Sequence, residues 1–103
     1  MNRGIEFFIN SLFTQWDDYE DRKVDNTING DYEIDTVYAN DTGLYETGIK
    51  FKDNNWIIVE EYKTKKQALV GHKKWVKEMD KKPKSAYSVQ LGEMIKFMEG
   101  KWN

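Results

Sequence analysis

The chain has 103 residues, with 16 Lys plus Arg against 18 Asp plus Glu, a single His and no Cys. This length predicts one domain over residues 1–103, and the lack of Cys excludes disulfides, thiolate catalysis and cysteine-based zinc sites. Fifteen aromatic residues favour a folded core over disorder. Because no apolar run reaches the ~20 residues that span a bilayer and no basic-plus-apolar leader opens the chain, we expect a soluble, intracellular protein with no membrane partner.

Charge is strongly segregated along the chain. Residues 1–62 carry 5 basic and 14 acidic side chains, a net charge of −9. Residues 63–84 carry 9 Lys against two acids, a net charge of +7. Such segregation predicts opposite poles on one surface and steered association with a charged partner. The alternative is that the two regions lie together and neutralise each other.

The first segment has the spacing of an amphipathic helix, because its apolar residues fall within one arc at ~100° per residue. These residues are Ile5, Phe8, Ile9, Leu12, Phe13, Trp16 and Tyr19. Phe7 lies nearly opposite this arc, so it is either an ordinary exposed side chain or an anchor for a partner. Acidic residues gather at the end of the helix, where the macrodipole disfavours them. They are Asp17, Asp18, Glu20 and Asp21, and they are candidate binding residues.

From Arg22 to Tyr62 the hydrophobic period changes to two, which predicts strands. Turn signals at Asn29-Gly30 and Asn40–Gly43 separate these strands. The expected strands are Val24–Ile28, Tyr32–Ala39, residues 44–51 and Trp56–Val59. The four successive apolar residues of the last strand suggest that both of its faces are covered. We therefore expect a three- or four-stranded antiparallel meander.

Two loop lengths are possible for the first hairpin, and each gives a different strand register. A two-residue turn at Asn29-Gly30 would oppose Ile28 to Asp31. A three-residue loop over Asn29–Asp31 aligns the apolar alternation of the two strands, with Val24, Asn26 and Ile28 beside Tyr32, Ile34 and Thr36. We prefer the three-residue loop because it buries more apolar surface.

Thr64 and Gln67 have the spacing of a capping box and predict the start of a second helix. Pro83 predicts its end, since the residue before proline disfavours helix. The expected apolar stripe is Ala68, Leu69, His72, Trp75, Val76 and Met79. Five lysines cluster on another side of this helix around Val70, and we call them the lysine face. They are Lys66, Lys73, Lys74, Lys77 and Lys81.

A last helix is expected from Ser85 or Ser88 to about Glu99, although residues 87–91 also alternate like a strand. Its apolar stripe would be Leu91, Met94, Ile95 and Met98. The predicted fold class is therefore α+β: an N-terminal helix, an antiparallel sheet, and two C-terminal helices packed on one sheet face.

Candidate catalytic residues are few. Asp41-Thr42-Gly43 matches the triplet of retroviral-type aspartic proteases, but the preceding Ala39 and Asn40 do not form the apolar strand that this family requires. A tight turn explains the same three residues. His72 lies within the apolar stripe, which favours a buried, hydrogen-bonded residue over a general base. We assign no catalytic residue, no metal site and no cofactor.

Two stretches resemble a group of short phage and prophage proteins. The first runs from Tyr32 through Asp41-Thr42-Gly43 to Ile49. The second is Trp56-Ile57-Ile58-Val59-Glu60-Glu61-Tyr62-Lys63-Thr64, followed by Gly71-His72 and Lys74-Trp75-Val76. The shared pattern is an apolar strand that ends in Glu-Glu-Tyr and a Thr-capped helix with a Gly-His pair, over about residues 32–79. The resemblance implies a bacterial cytoplasm and an accessory viral role, and it carries no functional residues to this chain.

The leading hypothesis is a non-enzymatic phage protein that binds a host bacterial protein, such as a defence protein, and inhibits or redirects it. One alternative is a nucleic-acid-binding accessory protein that uses the lysine face. Another is a protein that sequesters a small nucleotide signal. A second copy of the chain is a further expected partner, because the acidic region of one copy can meet the lysine face of another.

Overall fold

The computed structural model describes residues 19–51 and 55–97. Helix α1 spans Tyr19–Arg22 and is followed by strands β1 (Lys23–Asn29), β2 (Tyr32–Ala39), β3 (Leu44–Phe51) and β4 (Ile57–Tyr62). Helix α2 spans Lys65–Asp80. Strands β5 (Ser85–Ser88) and β6 (Glu93–Lys96) complete the described fold. Strands β1–β4 form a four-stranded antiparallel meander, and β5 and β6 form a separate two-stranded sheet.

The predicted α+β class and the antiparallel meander are confirmed, but the prediction of a second C-terminal helix is wrong for the described residues. The N-terminal helix was expected over residues 5–19, which lie outside the described residues except for Tyr19. The last helix is absent from the described chain, where a β-hairpin takes its place. Gly92 has a φ of 72° and Tyr87 lies opposite Met94. A left-handed glycine closes a tight turn readily, whereas it would interrupt a helix.

The first hairpin adopts neither expected register. Gly30 and Asp31 form a two-residue turn, so Asn29 lies opposite Tyr32. Gly30 has a φ of 61° at the first turn position, which suits a two-residue hairpin. This register places Thr27 beside Ile34 on the face towards α2 and leaves Ile28 70% exposed. The observed pairing thus brings the hydroxyl of Thr27 within reach of His72 and leaves Ile28 on the opposite face.

Helix α2 packs across one face of the meander, and we call that face the inner face. Its start is confirmed: Thr64 Oγ1 accepts a hydrogen bond from Gln67 N, and the Gln67 side chain accepts one from Thr64 N. The helix ends before Pro83, as predicted. Leu69, expected in the buried stripe, is 38% exposed because it lies at the rim of the helix–sheet contact.

The apolar core lies between the inner face, α2 and the β5–β6 hairpin. Its buried members are Tyr32, Ile34, Ile49, Phe51, Ile57, Val59, Met79, Ala86 and Phe97. In β4, Ile57 and Val59 point inward while Ile58 is half-buried on the opposite face. The second face of this strand is thus only partly covered. Among the described residues, no helix has the length and apolar character needed to cross a membrane.

Candidate functional site: a buried polar network and an exposed lysine face

A chain of polar side chains crosses the contact between the sheet and α2. His72 is 1% exposed, and Thr36 and Thr47 are 0% exposed. The Nδ1 atom of His72 lies 2.8 Å from Thr36 Oγ1, which lies 2.6 Å from Thr47 Oγ1. The prediction of a buried, hydrogen-bonded His72 is confirmed. These contacts satisfy polar groups that would otherwise be buried without partners.

The network reaches carboxylates at both of its ends. Thr47 Oγ1 lies 3.0 Å from Tyr62 Oη, and Tyr62 donates to Glu60 Oε1 at 3.3 Å. At the other end, His72 Nε2 lies 2.9 Å from Thr27 Oγ1 and 3.9 Å from Asp25 Oδ2. We call these side chains the polar network. It consists of Asp25, Thr27, Thr36, Thr47, Glu60, Tyr62 and His72.

Glu60 is the anchor at the β4 edge. Its Oε1 accepts hydrogen bonds from Trp75 Nε1 at 2.9 Å and from Lys74 Nζ. Partial burial alone would raise the pKa of Glu60, but these two donors outweigh it and lower that pKa. Burial raises the pKa of Tyr62 to about 12, despite the opposing hydrogen bond from Thr47. At neutral pH, Glu60 is therefore ionised and Tyr62 keeps its proton.

The ionised carboxylate fixes the direction of every hydrogen bond. Glu60 can only accept, so the Tyr62 hydroxyl donates to it and must accept from Thr47. Thr47 then accepts from Thr36, and Thr36 accepts from the Nδ1–H of His72. The remaining ring nitrogen, Nε2, carries no proton and accepts from Thr27. The network thus selects the neutral Nδ1–H tautomer of His72.

We expect NMR spectra of the imidazole to show this tautomer. Because His72 is the single histidine of the chain, its two ring nitrogens are unambiguous in a long-range ¹H–¹⁵N spectrum. Nδ1 should have the chemical shift of a protonated nitrogen at pH 7.5 and Nε2 that of an unprotonated one. An Nε2–H tautomer would contradict the assigned hydrogen-bond directions.

The same spectra recorded against pH test the charge of His72. Burial lowers the pKa of His72 below its ordinary 6.5, and Asp25 opposes this only in part. Since the folded protein binds this proton less readily than the unfolded chain, acid favours unfolding. The His72 contribution to stability should be complete above pH 6.5 and decline as the pH falls through the folded pKa. A measured pKa above 6.5 would contradict this.

A second carboxylate cluster lies on the opposite face of the sheet. Asn26 Nδ2 donates to Glu33 Oε2 at 2.8 Å and to Asp35 Oδ1 at 2.9 Å, and the Tyr19 hydroxyl donates to Asp35 at 2.8 Å. Burial raises the pKa of Asp35, although both of these donors oppose the shift. Among residues 19–51 and 55–97, no group of three or more His, Asp or Glu side chains is placed to hold a metal ion.

The lysine face lies on the solvent side of α2. All five of its lysines are exposed. Lys74 is bound by Glu60, and Lys81 lies 3.2 Å from Glu78. Lys66, Lys73 and Lys77 form no ion pair with any described residue. Val70, at the centre of this face, is 65% exposed.

Two of the candidate acidic binding residues lie within the described part of the chain. Glu20 and Asp21 are exposed on α1, and Glu20 Oε1 pairs with Lys23 at 3.2 Å. No described ion pair joins Glu20 or Asp21 to the lysine face. Glu60 of the acidic region does pair with Lys74, so the two regions neutralise each other at this contact. Phe7, Asp17 and Asp18 lie outside the described residues.

The Asp41-Thr42-Gly43 triplet is a turn, as the sequence favoured. Gly43 N donates to Ala39 O at 2.8 Å, and Thr42 Oγ1 accepts from Leu44 N at 3.2 Å. Gly43 has a φ of 75°, a conformation that glycine adopts readily. The whole triplet is exposed on the β2–β3 connection, so the aspartic-protease interpretation finds no support in the local geometry.

Sequence reasoning missed most of the polar network. Thr36 and Thr47 occupy inward positions of β2 and β3. Each lies two residues from a buried isoleucine, Ile34 or Ile49, and this spacing was the available signal that the threonines are buried. The Glu-Glu-Tyr and Gly-His motifs were a second signal, since they contribute Glu60, Tyr62 and His72 to one network. No model of a known protein family matches the chain, and neither does any curated protein or solved structure.

Proposed function

We propose that the chain is a non-enzymatic phage accessory protein that acts in the bacterial cytoplasm. It binds a host protein and inhibits or redirects it, with a defence protein as the target class. The observation that carries the proposal is the lysine face, where Lys66, Lys73 and Lys77 surround the 65% exposed Val70 without a described acidic partner. The resemblance of residues 32–79 to phage proteins supports the biological setting.

The structure of the lysine face favours a protein partner over a nucleic acid. Val70 and the 38% exposed Leu69 provide an apolar centre, and lysines provide a charged rim. Protein interfaces have this arrangement, with anchors at the centre and polar residues around them. The rim steers an acidic partner towards the site. The capped helix presents these side chains without ordering cost in the backbone.

The polar network supports a role without catalysis. His72 is 1% exposed, and both of its ring nitrogens are within hydrogen-bond distance of threonines. A general base must reach a substrate proton, directly or through one water molecule. In the described structure, both ring nitrogens of His72 instead form hydrogen bonds that hold α2 on the sheet.

Charge reversal of the lysine face tests the proposal. We expect the double variant Lys73→Glu/Lys77→Glu to capture at least tenfold less of the host protein that the tagged wild type enriches from bacterial lysate, as measured by quantitative mass spectrometry. The matched control is Lys63→Glu/Lys65→Glu, which changes the net charge equally at exposed positions outside the face. Equal capture by both variants, or no enriched host protein for the wild type, would refute the proposal.

A nucleic acid is the second candidate partner, and the row of three lysines without described acid partners is the observation that favours it. Three phosphate contacts would give a moderate salt dependence, with a slope of about −3 for the logarithm of affinity against that of salt concentration. Binding of duplex or single-stranded DNA at low salt, lost in Lys73→Glu/Lys77→Glu, would favour this candidate. No retention at low salt would exclude it.

A further inference from the structure

The β5–β6 hairpin has one face on the core and one face outside. Ala86 is 6% exposed and lies opposite Ile95, which packs against the core. Beyond β6, Phe97 is 5% exposed and its ring centroid lies 4.8 Å from that of Phe51. The backbone of Val89 donates to Ile58 O at 2.9 Å, which fixes the hairpin beside β4. The hairpin is thus firmly held by its inner face.

The outer face of the hairpin is apolar at its turn. Tyr87 and Met94 lie directly opposite each other and are 50% and 60% exposed. Leu91, in the turn, is 64% exposed. A Cβ atom on Gly92 would lie 3.8 Å from Tyr87 Oη, so the tyrosine reaches along the strand to the turn. We call Tyr87, Leu91 and Met94 the hairpin patch.

A lysine shares the strand face of the patch. Lys96 follows the same alternation as Met94 and is exposed beside the patch. The acid of β6, Glu93, alternates with Ile95 instead and lies opposite the buried Ser88. Lysine is therefore the charged residue that shares the strand face of the patch.

The size of the patch indicates what covers it. Three partly exposed side chains offer a few hundred Å², which is within the range of the largest apolar patch of an ordinary monomer. Two copies meeting through this patch alone would fall short of the ~1,200 Å² that stable interfaces bury. A short segment of another protein needs less area, because tyrosine and methionine act as anchors.

We propose that the hairpin patch is a docking site for a short acidic and apolar segment of the partner protein. This inference rests on the proposed function and adds a second contact surface to the lysine face. The partner places an aromatic or aliphatic side chain against Tyr87, Leu91 and Met94, and a carboxylate of the same segment pairs with Lys96. The lysine face and the hairpin patch thus both favour a partner surface in which acidic side chains lie beside apolar ones.

A random dodecapeptide library displayed on yeast tests this site directly. Peptides are selected on the wild-type protein and depleted on the double variant Tyr87→Ser/Met94→Ser. We expect the enriched peptides to combine Asp or Glu with aromatic or aliphatic residues, and to bind the wild type at least tenfold more tightly than the variant. The control Ile28→Ser, which removes a 70% exposed apolar residue from β1, should bind them like the wild type.

The variant must be folded for this comparison, and the His72 imidazole spectrum of Tyr87→Ser/Met94→Ser should match that of the wild type. Peptides without acidic residues, no enrichment, or equal binding to the double variant would overturn the inference. Loss of host capture in Lys73→Glu/Lys77→Glu but not in Tyr87→Ser/Met94→Ser would overturn it and leave the proposed function standing. If acidic peptides are selected on the hairpin patch but the wild type captures no host protein, the proposed function is refuted and the hairpin patch remains a binding site for such segments.

Discussion

Replacing Gly71 with Ala is expected to destabilise the protein by roughly 2 kcal/mol, even though alanine is the better helix former by about 1 kcal/mol. A Cβ atom at position 71 would lie 2.2 Å from Tyr62 Oη and 2.3 Å from its Cζ. Tyr62 is 8% exposed and is held by Thr47 and Glu60, so its ring cannot simply move away. Either α2 must lift from the sheet or Tyr62 must leave the polar network.

Urea unfolding followed by tryptophan fluorescence measures this effect. The control is Val70→Ala at the neighbouring, 65% exposed position, where we expect a change within about 0.5 kcal/mol, in the stabilising direction because of helix propensity. An unfolding midpoint for Gly71→Ala at or above that of the wild type would show that the helix does not press on Tyr62 as the structure places it.

Replacing Thr36 with Val is expected to cost about 2–3 kcal/mol and to change the tautomer of His72. Valine has nearly the same shape, but it can neither accept from His72 Nδ1–H nor donate to Thr47. Since Thr36 is 0% exposed, no water replaces the missing hydroxyl at the same place. His72 is expected to move its proton to Nε2, where Thr27 Oγ1 at 2.9 Å can accept it.

The conservative variant Thr36→Ser separates the effect of the hydroxyl group from the effect of side-chain packing. It keeps the hydrogen-bonding group and loses one methyl group, so the Nδ1–H tautomer should persist with a smaller loss of stability. Chemical denaturation gives the free energy of unfolding of both variants, and ¹⁵N chemical shifts give the tautomer. An unchanged tautomer in Thr36→Val would mean that the polar network does not set the proton position.

These two variants probe one physical feature, the match between α2 and the sheet. Gly71 allows the helix to approach Tyr62, and His72, one residue later, reaches Thr36 and Thr27 on two different strands. The Gly-His pair and the Glu-Glu-Tyr strand end therefore have a shared structural reason. Both motifs contribute to one helix–sheet contact.

Local signals in the sequence predicted most individual elements. The expected strand over Tyr32–Ala39 has the observed bounds, and the capping box of Thr64 and Gln67 begins α2 as expected. The buried position of His72 also followed from helical periodicity. Each of these properties depends on side-chain alternation or on hydrogen bonds within a few residues, so neighbours along the chain are sufficient to specify it.

The C-terminal hairpin shows where local signals conflicted. Apolar residues at Leu91, Met94 and Ile95 have helical spacing, whereas residues 87–91 alternate like a strand. The contact of Phe97 with Phe51 and the hydrogen bond from Val89 to Ile58 stabilise the extended form. Both partners lie in the sheet, more than thirty residues earlier in the chain. Local propensity could not choose between the two forms, since tertiary contacts outweigh it.

The sequence alone determined the class of fold, the segregation of charge, the lysine face and a histidine within the core. Only the tertiary structure decided the register of β1, the direction of the polar network and the exposure of Leu91 and Met94. The physical reason is distance along the chain: Thr27 and His72 are 45 residues apart, and their hydrogen bond forms only when helix and sheet meet. A strand's periodicity specifies which residues share a face, whereas the partner of each residue on the next strand and its contacts with α2 exist only in the folded chain.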